Sequence, residues 1–337
     1  MTVSERLQTE FGARIEPYRQ ELGAHCYRMM GSIQDAEDMV QETFLRAWRR
    51  RETLEDASSL RAWLYAIATN TCLDTLKKRP RRLAPVMLGA ASTLAEPIPQ
   101  KTLEPIWLEP YPDALLLADD EQNPEEQAIE REHIALAFVV ALHLLPPRQR
   151  AVLLLRDVLD WPASEVATFL NTTVSAVKSA LHRARTIMAN QYNSHHASSS
   201  DLDWKLDGAA QQLLNAYVGA WEAADGAALA RLLKEDATFS MPPIPAWYRG
   251  RETIRALVAR TVFSGEARGR WRLLPTAANG QVAFGLYHQT ETASLYQGYG
   301  IQVVTLSGRM VSDIITFIDA RLIARFDLPP TLSTVPV

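Results

Sequence analysis

Residues 146–190 read PPRQRAVLLLRDVLDWPASEVATFLNTTVSAVKSALHRARTIMAN. Prolines punctuate this stretch where helices begin. Proline fixes φ near the helical value and gives up an amide that a first turn leaves unbonded anyway. Pro147 therefore starts a helix with the apolar stripe Val152, Leu155 and Leu159, and Pro162 opens a short second one over 163–170. Asn171-Thr172-Thr173 supplies turn and cap chemistry. A third helix is expected over about 174–188, where Val177, Leu181, Ala184 and Met188 continue a buried stripe from Val174. Ser175, Lys178, Ser179, His182 and Arg183 lie on or beside the opposite face, small at its N-terminal end and cationic further on. Such a face lets the backbone approach a DNA major groove and then offers base and phosphate contacts. A plain helical hairpin with a polar exterior has a similar pattern. The turn spacing and the Lys/Arg content favour a DNA-binding helix-turn-helix.

The rest of the chain is organised around this segment. At 337 residues it is long enough for two or three domains. A net charge of −4 counts against a uniformly basic nucleic-acid binder, but the average hides its distribution. Residues 1–83 carry 14 basic and 12 acidic side chains, residues 84–135 carry 2 and 11, residues 136–190 carry 6 and 3, and residues 191–337 carry 13 and 13. Two mildly basic segments thus flank a strongly acidic one, and a neutral segment follows. Residues 84–124 hold seven prolines, which remove amide donors and block helices, so they read as a linker. Residues 193–206 begin NSHHASSSD and form a flexible joint. His195 and His196 fall there without further ligands, so no metal is expected. Cys26 and Cys72 are the only cysteines and make neither a disulfide framework nor a zinc site; they are expected to be small buried residues in a reducing cytoplasm. No apolar run is long enough to span a membrane, and the start of the chain has no apolar leader segment.

Upstream, residues 34–50 read QDAEDMVQETFLRAWRR. Ala36, Met39, Val40, Thr43 and Ala47 recur at helical spacing and form a core stripe, with Asp35 as the expected cap. Asp38, Gln41, Glu42, Leu45 and Arg49 lie on the other face, which is either a solvated surface or a partner surface with a small apolar centre. Residues 59–79 form a second helix, with Leu60, Leu64, Ile67 and Thr71 buried. Trp63, Asn70 and Lys77 are seven apart and line up on one side. An aromatic, an amide and a cation in one stripe suit unpaired bases, although Trp63 fits a core position equally well. Lys77, Lys78, Arg79, Arg81 and Arg82 then form a basic cluster that reads as a phosphate-contacting patch or a solvated charge run.

DAEDMVQETFLRAW followed by LRAWLYAIATNTCLDTLKKR resembles region two of the extracytoplasmic-function (ECF) sigma factors, and LPPRQRAVLLLRDVLDWPASEVATFLNTTVSAVKSALHRAR resembles their region four. The two matches occur in family order across a linker. The resemblance implies a bacterial initiation factor that binds core RNA polymerase, through its β′ clamp helices and β, and recognises promoter minus-10 and minus-35 elements. It places Asp38, Gln41, Glu42 and Leu45 on the polymerase, and Ser58, Trp63, Asn70, Lys77 and Lys78 at the minus-10 strand. Residues 52–58 resemble the loop that holds a flipped base, whose extrusion costs a few kcal/mol of unstacking. Ser175, Lys178, Ser179, His182 and Arg183 fall at the minus-35 groove. Many relatives carry a basic residue where this chain has Ala180. By the same resemblance the acidic linker threads the polymerase channel.

From residue 207 the pattern changes. Leu214, Tyr217, Val218 and Trp221 make a helical stripe, and Leu229, Leu232 and Leu233 follow in a second helix. Asn279-Gly280 and Ser307-Gly308 then sit between alternating runs, a hairpin signal. Helices followed by antiparallel strands indicate α+β. YVGAWEAADGAALARLLKEDATFSMPP, WYRGRETIRALV and the hairpins resemble SnoaL-like, or polyketide-cyclase-like, domains of the cone-shaped fold shared with ketosteroid isomerases. A subgroup of ECF sigma factors carries such a domain, and the linker string WLEPYPDALL looks like a feature of it. The expected pocket lining includes Trp221, Phe239, Trp247, Tyr287, His288 and Phe317, each of which also fits plain core. Trp107 and Tyr111 form a rigid string suited to interdomain docking.

The expected chain is therefore multidomain. Two all-α sigma domains over 1–83 and 125–192 are separated by a linker over 84–124. A joint over 193–206 leads to an α+β SnoaL-like regulatory domain over 207–330. The expected function is promoter recognition by a non-enzymatic, cytoplasmic sigma factor, monomeric when free, without cofactor or metal and modulated by its C-terminal domain. The alternative is a bifunctional protein whose C-terminal domain binds or transforms a small molecule, with His288 and Asp313 as the candidate pair.

Overall fold

The computed structural model describes residues 10–54, 59–102, 107–115, 135–195, 208–290 and 295–333. They belong to two compact units, one made of Met1–Arg82 and Asp113–Ala197, the other of Leu83–Pro112 and Ser198–Val337. Most of the segment read as a linker thus belongs to the second unit. Residues 116–134, which span the end of that linker and the start of the expected second sigma domain, lie outside the described residues.

The first unit is helical. Its three leading helices are α1 (Arg19–Met30), α2 (Ile33–Arg49) and α3 (Leu60–Leu76). Gly31 ends α1 at φ 73°, a left-handed value that glycine adopts without a Cβ penalty. One residue later the Ser32 hydroxyl accepts the Asp35 N–H at 3.3 Å and caps α2. The expected cap, Asp35, is instead buried within the first turn, because the glycine turn starts the helix three residues earlier. All five stripe residues of α2 are buried, as are Leu60, Leu64, Ile67 and Thr71 of α3. Cys26 and Cys72 are both buried where α1 packs on α3, and burial, with the neighbouring Cys26, pushes the Cys72 thiol up.

The same unit contains α4 (Leu136–Leu142), α5 (Pro147–Leu153), α6 (Ala163–Phe169) and α7 (Val174–His195). A π-helical turn over Leu154–Val158 follows α5 and shifts its register, so Leu155 is buried while Leu159 is only partly covered. Asp160 and Asn171 turn the chain at φ 53° and 48°, values that short polar side chains tolerate. Val177, Leu181 and Ala184 are buried as expected, but Val174 is 40% exposed.

In the second unit, α8 (Gly208–Glu222) and α9 (Gly226–Leu232) precede β1 (Leu233–Ser240) and β2 (Trp247–Arg249). Then come α10 (Arg251–Arg260), β3 (Trp271–Ala278), β4 (Gln281–His288), β5 (Leu295–Ser307), β6 (Met310–Phe317), α11 (Arg321–Arg325) and β7 (Thr331–Ser333). The sheet order is β2-β1-β6-β5-β4-β3, with β7 on β5; β1 and β6 are parallel and the other pairs antiparallel. Asn279 and Gly280 close β3–β4 at φ 56° and 67°, the two positive values that a type I′ hairpin demands. Gly300 permits a close approach of β5 to the end of β6: a Cβ there would stand 2.0 Å from the Phe317 carbonyl oxygen. Asp236 lies within β1, 3.9 Å from Arg249.

Candidate polymerase and nucleic-acid interfaces

The recognition face is built by α7. The Thr173 hydroxyl accepts the Ala176 N–H at 3.1 Å and fixes the first turn. Val177, Leu181 and Ala184 bury the opposite side, so Ser175, Lys178, Ser179, His182 and Arg183 are all exposed. Among the described residues no carboxylate pairs with Lys178 or Arg183, which leaves both cations available to phosphate. Arg185 behaves differently. Its guanidinium holds both Asp157 oxygens, at 2.9 and 2.7 Å, and so ties α7 to the π turn. Ala180 and Arg183 border an apolar cleft of about 250 Å³, together with Arg148 and Thr172.

On α3, Asn70 is exposed, Trp63 half-buried, and Lys77 lies one residue beyond the helix. Lys77 donates to Asp74 at 3.0 Å, and Arg46 reaches the same carboxylate at 3.3 Å. These hydrogen bonds hold the Asp74 carboxyl below its ordinary range. Lys78 is exposed, while Ser58 lies outside the described residues. The basic cluster is less open than its composition suggests. Arg82 donates to Asp35 at 2.6 Å, Arg79 pairs with the same buried carboxylate, and Arg81 donates to the His143 carbonyl. The three arginines therefore fold back onto a buried acid and a helix-end carbonyl, so neither a phosphate patch of all five cations nor a freely solvated charge run describes the cluster.

On the outer face of α2, Leu45 is 52% exposed. Asp38 and Gln41 are exposed beside it, Asp38 accepting from Gln34 at 3.1 Å. Glu42 is partly covered and accepts from Arg46 at 2.7 Å. The result is one large aliphatic side chain with polar neighbours.

Sequence reading missed Arg150. This side chain is 2% exposed and donates to the carbonyls of Met29, Leu142 (3.0 Å) and Leu145 (3.4 Å) and to His143 Nε2 (3.2 Å). Burial, with Arg81 nearby, pushes the guanidinium down to about 9. It joins α5 to α1, and no local pattern marks it, since arginine at that spacing reads as an exposed helix residue. His25 is likewise buried, bonded to Thr69 Oγ1 at 2.8 Å, and burial lowers it to about 3.

In the C-terminal domain the expected pocket residues pack on one another. Trp221 is 1% exposed, with ring centroids of Phe263, Trp271 and Tyr217 at 5.0, 5.9 and 6.4 Å. Tyr217 stacks on Phe284 at 5.8 Å and donates to Gln302, which donates to Thr316. Phe239, Tyr287 and Phe317 are buried, the Tyr287 hydroxyl bonding the Pro329 carbonyl at 2.8 Å. These residues form core. His288 stands 4.4 Å from the Trp271 ring, and burial with nearby Arg270 lowers its pKa. It pairs with Gln297 on β5, whereas Asp313 pairs with Thr305. Eight residues of strand, roughly 26 Å, separate those partners, so the two side chains form no acid–base pair.

Trp247 serves another purpose. Its Nε1–H donates to the Gly89 carbonyl at 3.0 Å, and its own carbonyl accepts the Ser92 N–H at 2.7 Å. Arg260 donates to the Leu94 carbonyl at 2.7 Å, and the Thr102 N–H donates to Pro243 at 3.1 Å. Leu94 and Ile98 pack against the domain's core. At the far end, Asn279 clasps Tyr111: the Asn279 N–H donates to the Tyr111 carbonyl at 2.9 Å, and Asn279 Oδ1 accepts the Tyr111 N–H at 2.8 Å. Trp107 is buried and donates to Thr102 at 3.1 Å.

A three-helix unit, a helix-turn-helix with a basic outer face and a strand-rich cone define a transcription factor of composite type. Models of Sigma-70 region 2, Sigma-70 region 4 and the SnoaL-like domain match residues 14–82, 135–188 and 214–325. The chain is 43% identical over 326 residues to the ECF RNA polymerase sigma factor SigG of Mycobacterium tuberculosis, covering 96% of this chain and 85% of that protein. It is 28% identical over 228 residues to SigJ of the same organism, covering 68% of this chain and 64% of the relative. The crystal structure of M. tuberculosis SigJ superposes with a TM-score of 0.59 at 22% identity, covering 96% of this chain and 99% of that one, and shares its fold. The chain belongs to the ECF RNA polymerase sigma factors. It is a non-enzymatic specificity subunit whose partners are core RNA polymerase and promoter DNA. No described helix is long and apolar enough to cross a membrane.

Proposed function

We propose that the C-terminal domain regulates this sigma factor by holding the chain over residues 83–102 and 107–112. One observation carries the reading: backbone and side-chain hydrogen bonds run from Gly89 to Tyr111 onto Trp247, Pro243, Arg260 and Asn279. A connection held in this way cannot also lie extended, so its capture biases how freely the two sigma regions separate. In this reading α7 reads the minus-35 element through Ser175, Lys178, Ser179, His182 and Arg183, and α3 meets the minus-10 strand through Trp63, Asn70, Lys77 and Lys78. Leu45, with Asp38, Gln41 and Glu42, docks on polymerase, and the protein acts in the cytoplasm. In vitro transcription with core polymerase tests the proposal by comparing the full chain with one truncated at about residue 200. Truncation is expected to change promoter output or polymerase affinity, and unchanged values of both would overturn the regulatory role.

A further inference from the structure

We propose that Val174 is a specificity-determining residue that reads a thymine methyl group in the minus-35 element. The inference rests on α7 being the minus-35 reader and adds a residue that sequence periodicity assigns to the core. Val174 is the first residue of α7, and its turn is pinned by the Thr173 cap. The stripe to which it nominally belongs is covered further along, Val177 being 1% and Leu181 9% exposed, yet Val174 is 40% exposed. It stands beyond the reach of the helices that cover that stripe. Thr172, Thr173, Ser175 and Ala176 around it are small and also exposed, so its neighbours in the chain do not screen it from a ligand. Val174, Lys178 and His182 are four apart and form one ridge along the helix, with the valine at its N-terminal head. In helix-turn-helix docking the N-terminal residues of the recognition helix contact base edges. Among the four bases only thymine shows an apolar group in the major groove, its C5 methyl. A β-branched side chain in a capped first turn has little rotamer freedom to lose on meeting that methyl.

The test uses holoenzyme assembled from the full chain and core polymerase on a promoter library randomised in the minus-35 element. Wild type, Val174→Ala and Lys178→Ala are compared by counting transcripts. Wild type is expected to prefer thymine at one position by about fourfold, the worth of one buried methyl group. Val174→Ala should erase that preference and leave the other positions unchanged. Replacing that thymine by deoxyuridine, which removes only the methyl, should cost wild type about fourfold and Val174→Ala nothing. An unchanged profile in Val174→Ala, or an equal deoxyuridine penalty in both proteins, overturns the proposal. If Lys178→Ala shifts minus-35 selection while Val174→Ala does not, only the methyl contact has failed. If neither shifts it, α7 does not read this element and both readings fall.

Discussion

Replacing Asn279 by glycine should loosen the clasp on Tyr111 without disturbing the hairpin that carries it. Asn279 is fully buried, at φ 56°, and supplies Tyr111 with one acceptor and one donor. Alanine would confound the experiment, because it keeps the Cβ in the left-handed region and loses the short polar side chain that lets asparagine tolerate it. Glycine keeps that conformation and the backbone donor, and removes the side-chain amide together with the oxygen that accepts from Tyr111. The Tyr111 N–H is then deprived of that acceptor inside the protein, at about 1–3 kcal/mol. At 1.4 kcal/mol per factor of ten, local opening rises roughly 5- to 150-fold. Hydrogen exchange of the full chain, followed in peptides spanning 107–112, reads this directly. Peptides from β3 and β4 serve as the internal control, since glycine also weakens the strand ends slightly. Faster exchange confined to 107–112 is the expected result. Unchanged exchange there, with β3 and β4 intact, would refute the clasp as what holds the segment.

Other expectations follow from the first unit. His25 is neutral in the folded chain, with its pKa lowered to about 3. The unfolded chain takes up that proton near pH 6.5, so stability is lost as pH falls from there toward 3. The loss is about 2 kcal/mol by pH 5, and denaturant titrations at pH 7 and 5 should show a smaller one in His25→Gln. Leu45→Ala should weaken core polymerase binding by about tenfold or more, while its melting temperature stays near wild type because the side chain is half exposed. Lys178→Ala should lower promoter affinity and reduce the slope of log K against log salt by about 0.9, measured by holoenzyme binding across salt concentrations.

Much of the site was legible because periodicity reports burial. Thr43 and Thr71 are polar by composition, yet their spacing put them in core stripes, where both are buried. Lys178 and Arg183 were placed outward by the same spacing, and they are exposed. Periodicity failed at Val174, because a stripe is covered only as far as its neighbours reach. It failed at Arg79, Arg81 and Arg82 because a run of cations says nothing about buried acceptors from other helices, such as Asp35 and the His143 carbonyl. For His288 and Asp313, residue type suggested a pair and strand register separated them.

Taken alone, the sequence determined the starts of α5, α6 and α7, the hairpin turns, the order of the domains and the outward faces of α2 and α7. All of these depend on backbone geometry and side-chain spacing within a few residues. Only the tertiary structure decided that Arg150 is buried, that Cys26 meets Cys72, that the pocket candidates close into core and that residues 83–102 and 107–112 lie on the C-terminal domain. The last point shows the reason most plainly. The captured segment presents carbonyls and amides to Trp247, Arg260 and Asn279, and every residue but proline carries both groups. Their partners are chosen by where the folded surface offers a complementary atom.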